Sequence, residues 1–262
     1  NDFEIISDLG RYANSGDNCY LYYRFASSNG DNCGTDAGSA GGDWSAPGGS
    51  NDATFTASNT GGFMGYGLQL DGDDDFIRAS LGGGGGKIAI TSDWSVEGWF
   101  KTNNGANLEG TLFSIDDGDT TYAENELFIG LYDNDGGNIE ICHNACSVMS
   151  SDRYQTTGVD LQHEQWYHIA VTYDSSSDQV DVYVNNDRIV SNGVGVNFDA
   201  EPTGSNYFHV GKGKQGDFSG FVDEIRMLNY QKMAFGGGIM LSKIVPDSNS
   251  IEIYNANPAE LD

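Results

Sequence analysis

Apolar side chains recur at every second position through most of the chain, the spacing of a strand with one face sealed from water. The clearest stretch is EQWYHIAVTYDSSSDQVDVYVNND, Glu164 to Asp187. There Tyr167, Ile169, Val171 and Tyr173 share one face, Asp174 to Asp178 make a polar turn, and Val180, Val182 and Val184 share the inward face of the return strand. Asn185-Asn186-Asp187 turns the chain again. The same alternation marks CYLYYRFA from Cys19, GYGLQLDG from Gly65, DFIRASL from Asp75 and DWSVEGWFKT from Asp93. In the last of these Val96, Gly98 and Phe100 oppose Glu97, Trp99 and Lys101. TLFSIDD and ELFIGLYDNDGGNIEIC predict further strands, the latter broken by an Asn/Asp/Gly turn from Asp133 to Gly137. NYFHVGK and FSGFVDEIRMLNY close the pattern. Many short strands joined by polar turns predict an all-β fold of two antiparallel sheets packed face to face, a sandwich or jelly roll.

The rest of the chain reads differently. Residues 1–62 hold a long polar loop from Ser27 to Gly62, in which Trp44 and Phe55 are expected to anchor to the body. Gly82 to Gly86 reads as a surface loop. Residues 231–262 form an extension with strand-like IMLSKIV and IEIY, expected either to add edge strands or to dock on a neighbouring domain or subunit. No internal repeat is visible, and 1–262 is expected to be one domain.

Charge narrows the partners. There are 39 acidic against 12 basic side chains, a net of −27, which repels nucleic acid and anionic lipid. No apolar run approaches the ~20 residues that a membrane helix needs, so membrane insertion is not expected. The cysteines are Cys19, Cys33, Cys142 and Cys146. Both local pairs lie in polar, Gly/Asn-rich surroundings, and the expected disulfides are Cys19–Cys33 and Cys142–Cys146. Cys142-His143-Asn144-Ala145-Cys146 has a plausible zinc spacing, but the chain offers it no second ligand pair. Disulfides imply an oxidising compartment, secreted or at a cell surface, and the chain is expected to be a mature or excised fragment of an exported protein.

Four segments in order resemble a known family: GLQLDGDDDFIRA, then WSVEGWFKT, then EQWYHIAVTYD with VDVYVNNDRI, then FHVGKG with FSGFVDEIRMLNY. They resemble the laminin G-like, pentraxin-like branch of the concanavalin A-like lectin/glucanase jelly rolls. The likeness runs from about Tyr20 to Tyr230 and is strongest from Leu68. It implies the concanavalin A-like jelly roll as the fold. Related jelly rolls often hold calcium at a sheet rim, and the resemblance puts Asp71 and Asp223 near that rim. The scaffold hosts many activities, so function must be argued from side chains.

Three acidic turns are candidate calcium sites, since calcium takes six to eight oxygens from carboxylates, carbonyls and water. The first is Asp71-Gly72-Asp73-Asp74-Asp75, where crowded carboxylates repel unless a cation relieves them. The second is Asp116, Asp117 and Asp119 with Glu124 and Glu126, and the third Asp133, Asp135 and Asn138. Each also reads as a solvated turn. His168 and His209, inside strands, read as satisfied packing residues. The Glu-x-Asp-x-x-Glu spacing of one large group of glycosidases with this fold is absent, so binding is expected rather than catalysis. Aromatic rings stack on sugar C–H faces while nearby polar groups bond the hydroxyls. Trp44, Tyr122, Glu124, Tyr132 and Asn134 are the ligand-binding candidates; Trp94, Trp99 and Trp166 read as packing. The expected function is a calcium-assisted module for carbohydrate or glycoprotein in surface adhesion. The alternative is a structural subunit of a surface filament or envelope layer.

Overall fold

The computed structural model describes residues 19–23, 54–55, 61–63, 67–73, 75–83, 89–103, 108–116, 126–132, 137–143, 153–156, 159–194, 198, 205–214, 216–232, 239–245 and 250–255. Every regular element among them is a strand. In chain order these are β1 (Cys19–Tyr23), β2 (Thr54–Phe55), β3 (Leu68–Asp71), β4 (Ile77–Gly83), β5 (Trp94–Thr102), β6 (Gly110–Asp116), β7 (Leu127–Tyr132) and β8 (Asn138–His143). There follow β9 (Arg153–Gln155), β10 (Tyr167–Asp174), β11 (Gln179–Val184), β12 (Asp187–Val194), β13 (Ser205–Val210), β14 (Ser219–Leu228), β15 (Ile239–Val245) and β16 (Ser250–Asn255). Among the described residues no helix is long and apolar enough to cross a membrane.

The large sheet has eight strands in the order β12-β11-β10-β5-β14-β3-β2, with β1 also paired to β14. The small sheet has six, β4-β13-β6-β7-β8-β9. Neighbours in both are antiparallel, so the fold is the expected jelly-roll sandwich. β15 and β16 pair with each other in a two-stranded sheet of their own, and add no edge strand to the sandwich. β2, β9 and β12 were not legible as separate strands, being very short or following a tight turn. That turn has positive φ at both Asn185 (50°) and Asn186 (71°), the geometry that lets a two-residue hairpin follow the sheet's twist.

Directly opposed residues share a sheet face, so rows of side chains run across the strands. Val182, Val171, Val96 and Met227 form one row of the large sheet. Ile77, Val210, Phe113, Ile129 and Ile141 form one of the small sheet, with Tyr154 at its end. Both rows feed a single hydrophobic core. Each branched side chain sealed there contributes about 1.5–3 kcal/mol.

The outer face of the large sheet is also covered. Phe63 stacks on Trp99 with ring centroids 3.4 Å apart. Glu97, on the same face, pairs with two cations, Arg226 Nε at 3.2 Å and Lys232 Nζ at 3.1 Å, and meets the His168 ring, Nε2 at 3.3 Å. Ser95 Oγ donates to Tyr230 O at 2.7 Å and accepts the Lys232 N–H at 2.8 Å, which holds the chain after β14 against this face. A bulge between Asp223 and Arg226, with Glu224 at φ 51°, turns Ile225 into the core and Arg226 outward to Glu97.

Candidate functional site

The outer face of the small sheet carries polar and aromatic side chains in register. One row crosses all of its strands: Arg78 on β4, His209 on β13, Ser114 on β6, Phe128 on β7, Cys142 on β8 and Arg153 on β9. Its centre is buried and its two ends, Arg78 and Arg153, are half-buried. Beside it Tyr207 opposes Asp116, Glu140 opposes Gln155, and Tyr132 opposes Asn138. The alternation of these strands puts branched apolar residues inward and leaves these groups outward.

At the β4–β13 end, His209 Nδ1 lies 2.9 Å from Asp116 Oδ2. Ser114 Oγ lies 2.8 Å from Asp116 Oδ2 and 2.9 Å from Lys212 O. Phe76 meets the His209 ring edge-on at 5.3 Å. Two cations cover this group: Arg78 lies 5.0 Å from the Tyr207 ring centre and Lys212 Nζ 4.2 Å from that of Phe76.

At the β7–β9 end, Glu140 Oε2 accepts from Arg153 Nε at 2.8 Å and also from the Arg153 terminal nitrogen and the Gln155 amide. The guanidinium lies 5.2 Å from the Tyr132 ring centre. Burial pulls the Arg153 pKa down, but Glu140 and Tyr132 outweigh it and hold it above the ordinary arginine value. Burial lowers the Lys214 ammonium pKa, opposed by Glu126 and Glu140. The result is an aromatic ring, a planar cation, an amide and a carboxylate locked on a rigid sheet.

The sequence candidates are distributed unevenly over this structure. Tyr132 and Asp116 stand on the small sheet's outer face, Asn138 beside Tyr132. Asp116 is buried and turned to His209 and Ser114. In the first acidic turn, Asp75 is buried and its Oδ2 accepts the Asp71 N–H at 3.0 Å. Asp71 Oδ1 accepts the Asp73 N–H at 2.9 Å, and both residues are exposed. Asp223 is wholly buried and its Oδ1 accepts the Glu224 N–H at 2.9 Å. Asp71 opposes Ser219, four residues before Asp223 on β14, about 13 Å at strand rise, so the two are not brought together. Among the described residues no group of three or more His, Cys, Asp or Glu is placed to hold a metal ion. Asp74, Asp117, Asp119, Tyr122, Glu124, Asp133, Asn134, Asp135 and Trp44 lie outside the described residues. Cys142 is disulfide-bonded; the pairings with Cys146 and of Cys19 with Cys33 lie outside the described residues.

Trp94 and Trp99 are buried, whereas Trp166 is half-buried. It forms a second aromatic group on the large sheet's outer face, with Lys101 Nζ 5.0 Å from its ring centre and 4.3 Å from that of Phe221. His168 and His209 are buried against carboxylates, as packing residues in polar contact. Sequence reasoning missed Arg78, Tyr207, Glu140, Arg153 and Gln155. The signal was present in the polar members of DFIRASL, NIEIC, RYQ and NYFHV, each the outward half of an alternation.

A family model described as concanavalin A-like lectin/glucanases superfamily, of the laminin G type, matches residues 86–233, more than half of the chain. The chain belongs to this superfamily. As a superfamily member it has the β5, β10–β11 and β14 segments inside the matched region, where the sequence resemblance placed them. Among curated proteins none matches the sequence. Among solved structures it is similar to domain 4 of AbnA, an extracellular GH43 arabinanase from Geobacillus stearothermophilus, in complex with arabinotriose. The identity is 20%, the TM-score 0.54, and the match covers 81% of this chain and 93% of that one. A heptameric SAP-like pentraxin from Limulus polyphemus aligns at 17% identity and TM-score 0.45, over 60% of this chain and 71% of that one. The CBM40 domain of a Ruminococcus gnavus IT-sialidase bound to α2,3-sialyllactose aligns at 13% identity and TM-score 0.46, over 63% and 91%. These likenesses concern the fold.

Proposed function

We propose that this superfamily member is a carbohydrate-binding module that takes a saccharide on the β7–β9 end of the small sheet's outer face, without catalysing its cleavage. The observation that carries the reading is the locked set of Tyr132, Arg153, Gln155 and Glu140. A sugar needs a ring face to stack on and fixed donors and acceptors for its hydroxyls, and this set supplies both with little ordering cost. Support at fold level comes from the arabinanase domain, whose similar scaffold holds arabinotriose. The absent Glu-x-Asp-x-x-Glu spacing supports binding over hydrolysis.

Calcium assistance belongs to the proposal. Asp71 and Asp73 are exposed, their turn already folded by its own hydrogen bonds, and they are the described residues that would hold the ion. Bound calcium would supply charge neutralisation at this rim. Secretion with both local disulfides closed, and a role in adhesion to a glycan or glycoprotein surface, complete the reading.

Affinity electrophoresis through a panel of embedded polysaccharides, with calcium and with chelator, tests it. Tyr132→Ala and Gln155→Ala each weaken retardation at least tenfold, the scale of about 1.4 kcal/mol lost at a stacking or hydrogen-bonding contact. Retardation by none of the polysaccharides in either condition would overturn the reading.

A further inference from the structure

We infer that the β4–β13 corner of the small sheet binds the acidic group of a saccharide, a carboxylate or a sulfate ester, through Arg78 and Lys212. The inference rests on the proposed carbohydrate binding and names its ligand class. Carboxylates outnumber cations 39 to 12 in this chain, so a cation finds an acidic partner easily. Arg153 pairs with Glu140, Arg188 with Asp181, and both Arg226 and Lys232 with Glu97. Among the described residues Arg78 and Lys212 have no carboxylate within ion-pair distance. Each lies instead over an aromatic ring, Tyr207 at 5.0 Å and Phe76 at 4.2 Å.

Of the acidic groups of the corner, Asp116 is turned to His209 at 2.9 Å and to Ser114 at 2.8 Å, and buried Asp75 to the Asp71 N–H at 3.0 Å. Ser114 Oγ also reaches Lys212 O at 2.9 Å, which pins the backbone that carries the ammonium. The rings are mutually linked, Tyr207 to His209 at 6.0 Å and Phe76 to His209 at 5.3 Å, so the two cations flank one aromatic group. A planar guanidinium fork and a point-charge ammonium beside a half-buried ring suit an oxyanion carried on a pyranose: the fork takes two oxygens, the ammonium a third, and the Tyr207 ring the C–H face, while buried Phe76 seats the ammonium. Lys101 lies over Trp166 and Phe221 on the other sheet, and Lys214 is exposed.

The test is calorimetric titration of the full chain with dextran, carboxymethyl-dextran and dextran sulfate, beside a panel of neutral plant polysaccharides and polygalacturonate. The expected result is at least tenfold tighter binding of an acidic polymer than of its neutral counterpart, weakening as salt rises. Binding of the carboxymethylated polymer or polygalacturonate identifies a carboxylate ligand; binding of dextran sulfate alone identifies a sulfate ester. Arg78→Gln/Lys212→Gln removes the preference with an unchanged melting temperature, and Arg78→Lys/Lys212→Arg restores most of it. Binding of neutral polysaccharides with no acidic preference overturns this inference and leaves the carbohydrate reading standing. An acidic preference that survives the Gln pair overturns it as well. Silence toward every polymer overturns both.

Discussion

Glu97→Gln lowers the stability of the folded chain by about 3–5 kcal/mol, read as a shift of the denaturant midpoint at neutral pH. The glutamine keeps the shape and removes the charge. Arg226, which is wholly buried, and Lys232 then lose the carboxylate charge they share, and His168 loses a charged neighbour. The change also reaches the chain after β14, because Lys232 Nζ loses the charge of its Glu97 partner while the Lys232 N–H still donates to Ser95 Oγ. The pH dependence has a definite sign. Burial pushes the Glu97 carboxyl up, but Arg226, His168 and Lys232 outweigh it and hold it far below the ordinary carboxylate range. A depressed folded-state pKa gives stability that is fully present above the ordinary carboxylate value and lost as pH falls below it. The native chain therefore loses stability on acidification below about pH 4.5, and Glu97→Gln shows less of that loss. A Glu97→Gln midpoint within error of the native one would show that the cluster contributes nothing.

Gly220→Ala costs about 3 kcal/mol, the upper range for overpacking a closed interior. Gly220 lies in β14 between Leu70 on β3 and Thr102 on β5. A Cβ there falls 2.3 Å from the Lys101 carbonyl oxygen and 2.8 Å from the Phe218 ring. Backbone in the middle of a sheet cannot retreat without breaking the ladder on both sides. Phe218 is wholly buried and packs edge-on against Phe100 at 5.8 Å, so it cannot retreat either. Gly216→Ala is the comparison: nothing lies within 4 Å of its added Cβ, and only the φ of 91° resists it. Its cost is about 1 kcal/mol. Equal melting curves for the two variants would refute the steric argument.

The sandwich was legible because its information is local. In DWSVEGWFKT the placing of Val96 and Phe100 on one face, opposite Glu97, needed only period two, and the structure puts that face in the core. The burial of Glu97 on the opposite face was not legible. It depends on Arg226, Lys232 and His168, brought there by a bulge, a chain reversal and a strand pairing distant in sequence. The candidate site divides in the same way. Tyr132 was visible as an aromatic next to a polar turn. Arg153 and Gln155 were not, because β9 is only three residues long and its meaning comes from pairing with Glu140 and Cys142 on β8. The acidic turns drew attention by composition and, for Asp71, by the family resemblance. In the first of them, Asp75 serves its own turn from a buried position, which no count of carboxylates reveals.

Mapping backbone and side-chain chemical shifts while the chain is titrated with the tightest-binding oligosaccharide tests the central claim most directly. The account predicts perturbations centred on Tyr132, Gln155 and Arg153 and reaching toward Tyr207 across the small sheet. Perturbations confined to Trp166, Lys101 and Phe221 on the large sheet would place the sugar on the wrong face and contradict it.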